Sequence, residues 1–142
     1  MPLSDMDIAA GFRSQMYRLV KVLRRETKND ELLSLTERST LGLIDQYSEL
    51  LPGELAAMEK ITTQGMSQII NHLMELGLLI KTPSAEDRRK VIVTLTEAGK
   101  KLVKQRRQEK QEWLTRAIGE KLNAKEKQTL ADAADILAKL IG

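Results

Sequence analysis

The sequence has 142 residues, the length of one domain with a real core, and its 42% hydrophobic residues include few aromatics, so an aliphatic core is expected. It has no cysteine, which excludes disulfides, thiolate metal sites and cysteine-based redox sensing. The net charge of +3 permits nucleic-acid binding without requiring it. The N-terminus lacks the features of a signal peptide, and no apolar run reaches the length of about 18 residues that a membrane span needs. We therefore expect a cytoplasmic protein.

The first predicted elements are three helices of decreasing length. Residues 5–27 are amphipathic, with apolar positions at helical spacing. These positions are Ile8, Phe12, Met16, Leu19, Val20 and Leu23. Thr36 is expected to be the N-cap of a second helix that ends near Ser48. Pro52 suits the first turn of a short third helix.

Residues 62–79, TTQGMSQIINHLMELGLL, predict a fourth helix with two unlike faces. Thr62 or Thr63 can cap it, and Gly77 can end it. One face is apolar and consists of Met66, Ile69, Ile70, Leu73 and Leu76. The other is polar but uncharged and consists of Gln64, Ser67, Gln68 and Asn71. An exposed helix in a chain with 30% charged residues would normally carry Lys and Glu there.

Two interpretations fit this polar face. It can be a solvated surface in which Gly65 is incidental, although glycine lowers helix stability by about 1 kcal/mol relative to alanine. It can also be a DNA-reading surface, because amides match base edges and a glycine in the first turn lets the backbone approach a duplex. The residues of that surface would be Thr62, Thr63, Gln64, Gly65, Ser67, Gln68 and Asn71. The hairpin that follows favours the second interpretation.

The segments LLIKTP and KVIVTL predict two short strands around a polar loop. The loop is basic at Arg88, Arg89 and Lys90, which could contact the DNA backbone or enter a narrow minor groove. Asp87 could hold one guanidinium in a bidentate pair. An ordinary exposed hairpin of mixed charge is the alternative.

Two further helices complete the chain. Thr96 is expected to cap a long charged helix, and Asn123 with Glu126 predicts a variant capping box for a last helix that reaches Ile141. Three helices followed by a hairpin form a winged helix-turn-helix, so the fold class is mainly α with a small β-hairpin. The first and last helices have broad apolar faces that a homodimer would bury; a compact monomeric bundle is the alternative.

Three segments resemble the MarR family, the multiple-antibiotic-resistance-type transcriptional regulators. LTERSTLGLI (35–44) resembles the family's second helix, and PGELAAMEKITTQGMSQIINHLMELGLL (52–79) resembles its helix-turn-helix. DRRKVIVTLTEAG (87–99) resembles its wing signature. The signature residues are Asp87, Arg89, Val93, Leu95, Thr96 and Gly99.

The resemblance implies one MarR-type domain over residues 1–142, with a DNA-binding lobe at 35–99 and helical dimerisation regions at 1–30 and 100–142. It implies an obligate homodimer that binds a pseudo-palindromic operator on double-stranded DNA, usually as a repressor. The residues that would face the major groove are Thr63, Gly65, Ser67, Gln68 and Asn71, and Arg89 would reach the minor groove.

Many members of that family release DNA when a small aromatic or lipophilic acid binds. Arg13, Tyr17 and Tyr47 lie on helices that wall the family pocket and could bind such an acid; core or interface packing is the alternative role. The sequence has one histidine, His72, and no cysteine, so we expect neither a metal nor a cofactor.

Two other classes of protein compete with a DNA-binding regulator. A winged helix that binds proteins would be expected to expose apolar anchors, whereas this one exposes Gln, Ser and Asn. An enzyme is disfavoured because no G-x-S-x-G, P-loop or dinucleotide fingerprint is present and His72 lacks an obvious nucleophile.

Overall fold

The computed structural model describes residues 2–26 and 33–142, and it has six helices and one antiparallel hairpin in these ranges. The helices are α1 (Asp5–Glu26), α2 (Leu35–Tyr47), α3 (Pro52–Glu59), α4 (Thr63–Glu75), α5 (Glu97–Lys121) and α6 (Ala124–Ile141), and the strands are β1 (Leu79–Pro83) and β2 (Val91–Leu95). The predicted fold class, mainly α with a small β-hairpin, is confirmed.

The chain divides into two compact units. We call residues 29–107 the winged-helix unit, and residues 1–28 with 108–142 the helical unit. The winged-helix unit contains α2, α3, α4, the hairpin and the start of α5. The helical unit contains α1, the rest of α5 and α6.

The winged-helix unit has an aliphatic core, as the composition predicts. Its most deeply buried apolar side chains are Leu41, Ile44, Leu55, Met66, Ile70, Leu73, Leu79 and Val93, and Thr40 is equally buried among them. In the hairpin, Leu79 lies opposite Leu95, so both point to the core. The backbone of Leu50 bonds that of Val93 in both directions, at 3.3 and 2.7 Å. This bridge joins the α2–α3 connection to the hairpin.

The beginning of α2 differs from the prediction. Its N-cap is Ser34, not Thr36: the Ser34 hydroxyl accepts a hydrogen bond from the Glu37 amide at 3.1 Å, and the Glu37 carboxylate accepts one from the Ser34 amide at 2.9 Å. Ser34 caps the helix because Glu37 lies three residues after it and completes a reciprocal capping box. Thr36 has no such partner three residues later. The predicted end of the first helix at Thr27 falls outside the described residues.

Other helix ends follow the local sequence signals. Pro52 begins α3, and the Thr62 hydroxyl accepts a hydrogen bond from the Gly65 amide at 3.0 Å at the start of α4. Gly77, with a φ of 77°, follows α4 in the left-handed region that glycine adopts without strain. The capping box of Asn123 and Glu126 begins α6.

The helical unit leaves apolar side chains uncovered on α1 and α6, neither of which has a buried residue. They include Met6, Ile8, Phe12, Met16, Tyr17, Leu19, Val20, Leu130, Ile136, Leu140 and Ile141. None of the helices in the described ranges has the length and hydropathy needed to cross a membrane.

Candidate nucleic-acid interface

A tight turn connects α3 to α4. Lys60 adopts the left-handed conformation with a φ of 57° and a ψ of 45°. The next amide, that of Ile61, donates to the Ala56 carbonyl at 3.0 Å, and Thr62 is extended before α4 begins. A lysine in the left-handed region costs roughly 1 kcal/mol relative to glycine. No local pattern indicates this conformation, because glycine or asparagine would be expected there.

The helix α4 buries one face and exposes the opposite one. Met66, Ile70 and Leu73 lie in the core. Leu76, predicted on the apolar face, is 37% exposed because it lies at the C-cap, beyond the packed turns. The predicted DNA-reading side chains are exposed along α4 and its cap: Thr62, Thr63, Gln64, Ser67, Gln68 and Asn71. The structure thus brings together an uncharged surface of amides and hydroxyls.

Gly65 has a local role that sequence reasoning missed. A Cβ added at this position would lie 3.1 Å from the Thr62 hydroxyl oxygen, closer than ordinary van der Waals contact. The same hydroxyl accepts a hydrogen bond from the Gly65 amide. The absent side chain therefore leaves space for the cap of α4, in addition to any space that it leaves for a duplex.

A buried carboxylate connects α4 to α2. Nδ1 of His72 is bonded to Oε2 of Glu37, a residue that is 7% exposed. Burial raises the pKa of Glu37, but the hydrogen bonds from Ser34 and His72 outweigh it, so this pKa lies below its ordinary value of 4.5. The pair was not predicted, because its members lie 35 residues apart. The capping-box spacing of Ser34 and Glu37 was the one local signal that Glu37 is held in place.

At the wing tip, Asp87 fixes Arg89. The carboxylate accepts hydrogen bonds from the amide and Nε of Arg89 at 3.1 and 3.2 Å, and from Nη2 at 3.4 Å. The side-chain and backbone hydrogen bonds from Arg89 lower the pKa of Asp87. Arg88 and Lys90 are exposed beside them. A bidentate pair between Asp87 and one guanidinium was predicted. In the structure this guanidinium belongs to Arg89.

The wing and α4 are joined to α5 by a close backbone contact. The Thr96 amide and hydroxyl donate to the carbonyls of Leu78 and Gly77 at 3.1 and 2.6 Å. A Cβ added to Gly99 would lie 2.2 Å from the Leu78 carbonyl oxygen. Only glycine fits this position without a shift of backbone, so Gly99 sets where α5 begins relative to the end of α4.

The predicted ligand residues fall in different units. Arg13 and Tyr17 lie in the helical unit, where Tyr17 is 68% exposed, and Tyr47 lies in the winged-helix unit, where it is 50% exposed. A shared pocket for these three residues stays a prediction. Within residues 2–26 and 33–142, no group of three or more metal-ligating side chains could hold a metal ion.

A helix-turn-helix followed directly by a hairpin with a basic tip defines a winged helix-turn-helix protein. The sequence model of the MarR family matches residues 33–90. An HTH-type transcriptional regulator of Mycobacterium bovis is 31% identical over 138 residues, which cover 97% of this chain and 95% of the relative. The chain therefore belongs to the MarR family of HTH-type transcriptional regulators.

Solved structures share the fold. The crystal structure of a Pseudomonas aeruginosa protein described as a transcriptional regulator is 30% identical, with a TM-score of 0.83 over 96% of this chain and 94% of that chain. A variant of Staphylococcus aureus MepR, bound to an oligodeoxyribonucleotide, is 20% identical, with a TM-score of 0.68 over 94% of this chain and 97% of that chain.

Proposed function

We propose that this regulator represses transcription by binding a pseudo-palindromic operator on double-stranded DNA as a homodimer. The observation that carries the proposal is the exposed face of α4, whose side chains are polar and uncharged, whereas a helix that binds protein would be expected to present apolar anchors there. Its amide side chains Gln64, Gln68 and Asn71 have the paired donor and acceptor that base edges require. No catalytic role is proposed.

The wing supplies the second part of the interface. Arg89 is exposed yet held by Asp87, so it can contact DNA with less loss of side-chain freedom than an unrestrained arginine. Its planar guanidinium suits a narrow, electronegative minor groove. The neighbours Arg88 and Lys90 suit phosphates, which add affinity without reading sequence.

The uncovered apolar surface of the helical unit supports the proposed dimer. Apolar residues are exposed on both α1 and α6, among them Phe12, Met16, Leu130 and Ile136. A second copy of this chain would remove them from water and would place two recognition helices on one duplex. The two half-sites should then be centred about one helical turn, roughly 10 base pairs, apart. A protein that acts on DNA is expected in the cytoplasm.

We also propose a small aromatic or lipophilic acid as inducer. The support is the resemblance to the family together with Arg13, Tyr17 and Tyr47. The helical unit adds an open groove of about 550 Å³ beside Trp113. Its charged lining consists of Arg18, Lys121, Arg25 and Glu26, and the last two are paired at 3.3 Å. Trp113 is the one tryptophan of the sequence, so a change in its fluorescence on addition of benzoate would report binding in this groove. Benzoate that changes neither this fluorescence nor DNA affinity would argue against this class of inducer.

Fluorescence anisotropy with DNA from upstream of the regulator's own gene tests the main proposal. A scrambled duplex of the same composition is the control, and both are titrated with salt. We expect tight binding to the upstream fragment alone with a steep salt slope. If both duplexes bind equally weakly, selection from a random library decides whether another operator exists. A library from which nothing is enriched would refute sequence-specific binding and favour a winged helix that contacts protein.

A further inference from the structure

The recognition helix carries the one histidine of the sequence, and this histidine is bonded to a buried carboxylate on another helix. Nδ1 of His72 is bonded to Oε2 of Glu37. The other carboxylate oxygen, Oε1, accepts a hydrogen bond from the Ser34 amide at 2.9 Å. The His72 side chain is 45% exposed, whereas that of Glu37 is 9% exposed. The imidazole is therefore held at one nitrogen and remains accessible from solvent.

His72 lies beside the proposed DNA-reading residues. It follows Gln68 by four residues, so the two side chains are neighbours on one flank of α4. Because Nδ1 is engaged by Glu37, Nε2 is the nitrogen available to a ligand at this face. A neutral ring with its proton on Nδ1 offers an acceptor at Nε2, whereas the imidazolium offers a donor there.

The helix α4 and the elements packed against it carry several charged groups. They are Glu37, Arg38 and Asp45 on α2, Glu54 and Glu59 on α3, Glu75 on α4 itself and Lys81 on β1. Asp45 is paired with Arg107 at 2.7 Å, and the Glu59 carboxylate accepts a hydrogen bond from the Ser39 hydroxyl. Among these groups, Glu37 is the one that has a described hydrogen bond to His72.

We infer that His72 binds a phosphate of the DNA backbone through Nε2 as an imidazolium, and that Glu37 is the positioning residue that fixes the ring for this contact. The inference rests on the proposed DNA binding and adds a contact to it. In the complex the ring donates its Nδ1 proton to Glu37 and its Nε2 proton to a phosphate oxygen. Such a contact strengthens binding to every sequence and reads none.

Substitution of His72 tests the contact. The probes are a duplex selected from a random library by the wild-type protein and a random-sequence duplex of equal length. His72→Gln keeps an amide donor for Glu37 but removes the cation. We expect about tenfold weaker binding per protomer on both duplexes, a salt slope smaller by about one per protomer and an unchanged preferred sequence.

His72→Arg is the matched control for His72→Gln, because it restores a cation that can pair with Glu37. We expect this variant to recover both affinity and salt slope. Equal binding of the wild type and His72→Gln to both duplexes would overturn the phosphate contact. A wild-type protein that enriches no duplex would overturn DNA binding itself, and the inference with it.

The imidazole nitrogens report on His72 alone, since the sequence has no other histidine. In ¹⁵N spectra at one pH, we expect DNA to shift the Nε2 resonance, whereas the Nδ1 resonance changes less because Nδ1 stays bonded to Glu37. Spectra that do not change on DNA binding would contradict the contact.

Glu37→Gln tests the positioning role, and Ser34→Ala is its control, because it removes the α2 cap but leaves the Glu37–His72 bond. Glu37→Gln is expected to alter the imidazole spectrum and to weaken DNA binding more than Ser34→Ala does. Equal effects of the two variants would show that Glu37 acts only in capping α2, which would overturn its positioning role.

Discussion

Arg89 is fixed to Asp87 at the tip of the wing by three hydrogen bonds, one from its backbone amide and two from its guanidinium. The arginine side chain is 91% exposed, so the carboxylate orients the cation without burying it. The same hydrogen bonds hold the pKa of Asp87 below its ordinary value of 3.8. The Asp87 carboxylate is therefore ionised at neutral pH, where it orients the cation that the wing presents.

Arg89→Ala should weaken DNA binding and lower the salt slope by about one contact per subunit, because one cation per protomer no longer replaces counterions on the duplex. Anisotropy titrations at several salt concentrations measure both quantities. Arg116→Ala removes the same charge from an exposed position of the helical unit and is the control. Equal affinity and slope in the wild type and Arg89→Ala would reject the wing contact.

Gln68→Ala should relax base preference at one position of each half-site by about 1–3 kcal/mol, because a bidentate amide contact to a base is lost. Selection from a random library, followed by sequencing, gives the preference at every position. Gln46→Ala, which removes an exposed amide near the end of α2, should leave the profile unchanged. An unaltered profile in Gln68→Ala would show that this side chain does not read a base.

The local parts of this fold could be predicted from the sequence, because caps and turns depend on residues three or four positions apart. Thr62, Pro52 and Gly77 act where their chemistry indicates. The start of α2 was misplaced because Thr36 is also competent to cap; the decisive feature was the position of Glu37 three residues after Ser34.

The candidate site was predictable only in part. The exposed face of α4 follows from the helical period of its buried residues. The bond between Glu37 and His72 depends on how α2 crosses α4, and no pattern along the chain encodes that crossing. The space that Gly65 leaves for Thr62 likewise becomes visible only once the cap geometry is known.

Gly99→Ala should lower the free energy of unfolding by about 1–3 kcal/mol or more, because its Cβ would collide with the Leu78 carbonyl and force the backbone to shift. Urea unfolding measures the change. Gly119→Ala in the same helix is the matched control: a Cβ there meets nothing within 4 Å. Better helix propensity should make this second variant more stable by up to about 1 kcal/mol. Equal stability of the two variants would contradict the close contact at Leu78.

Stability should fall in acid partly through Glu37. Its pKa is lower in the folded protein than its ordinary value of 4.5, so the unfolded chain takes up a proton first. The stabilisation is thus present above about pH 4.5 and is lost as the pH falls through the lower, folded value. Urea unfolding between neutral pH and pH about 3 should show a smaller loss in Glu37→Gln than in the wild type. Glu120→Gln, at an exposed position of α5, should retain the wild-type dependence.

A chain that ends before Asn123 should be monomeric, because it lacks the exposed apolar residues of α6 that the proposed dimer buries. Sedimentation velocity measures the change in mass, and circular dichroism checks that the winged-helix unit remains folded. A finer test in the full chain compares Leu130→Lys, at a residue 48% exposed, with Gln128→Lys, which adds the same charge beside Asp132. Leu130→Lys should weaken the dimer and Gln128→Lys should not, since only the first places a charge among apolar side chains. A truncated chain that still sediments as a dimer would exclude α6 from the essential interface and leave the apolar face of α1 as its main candidate.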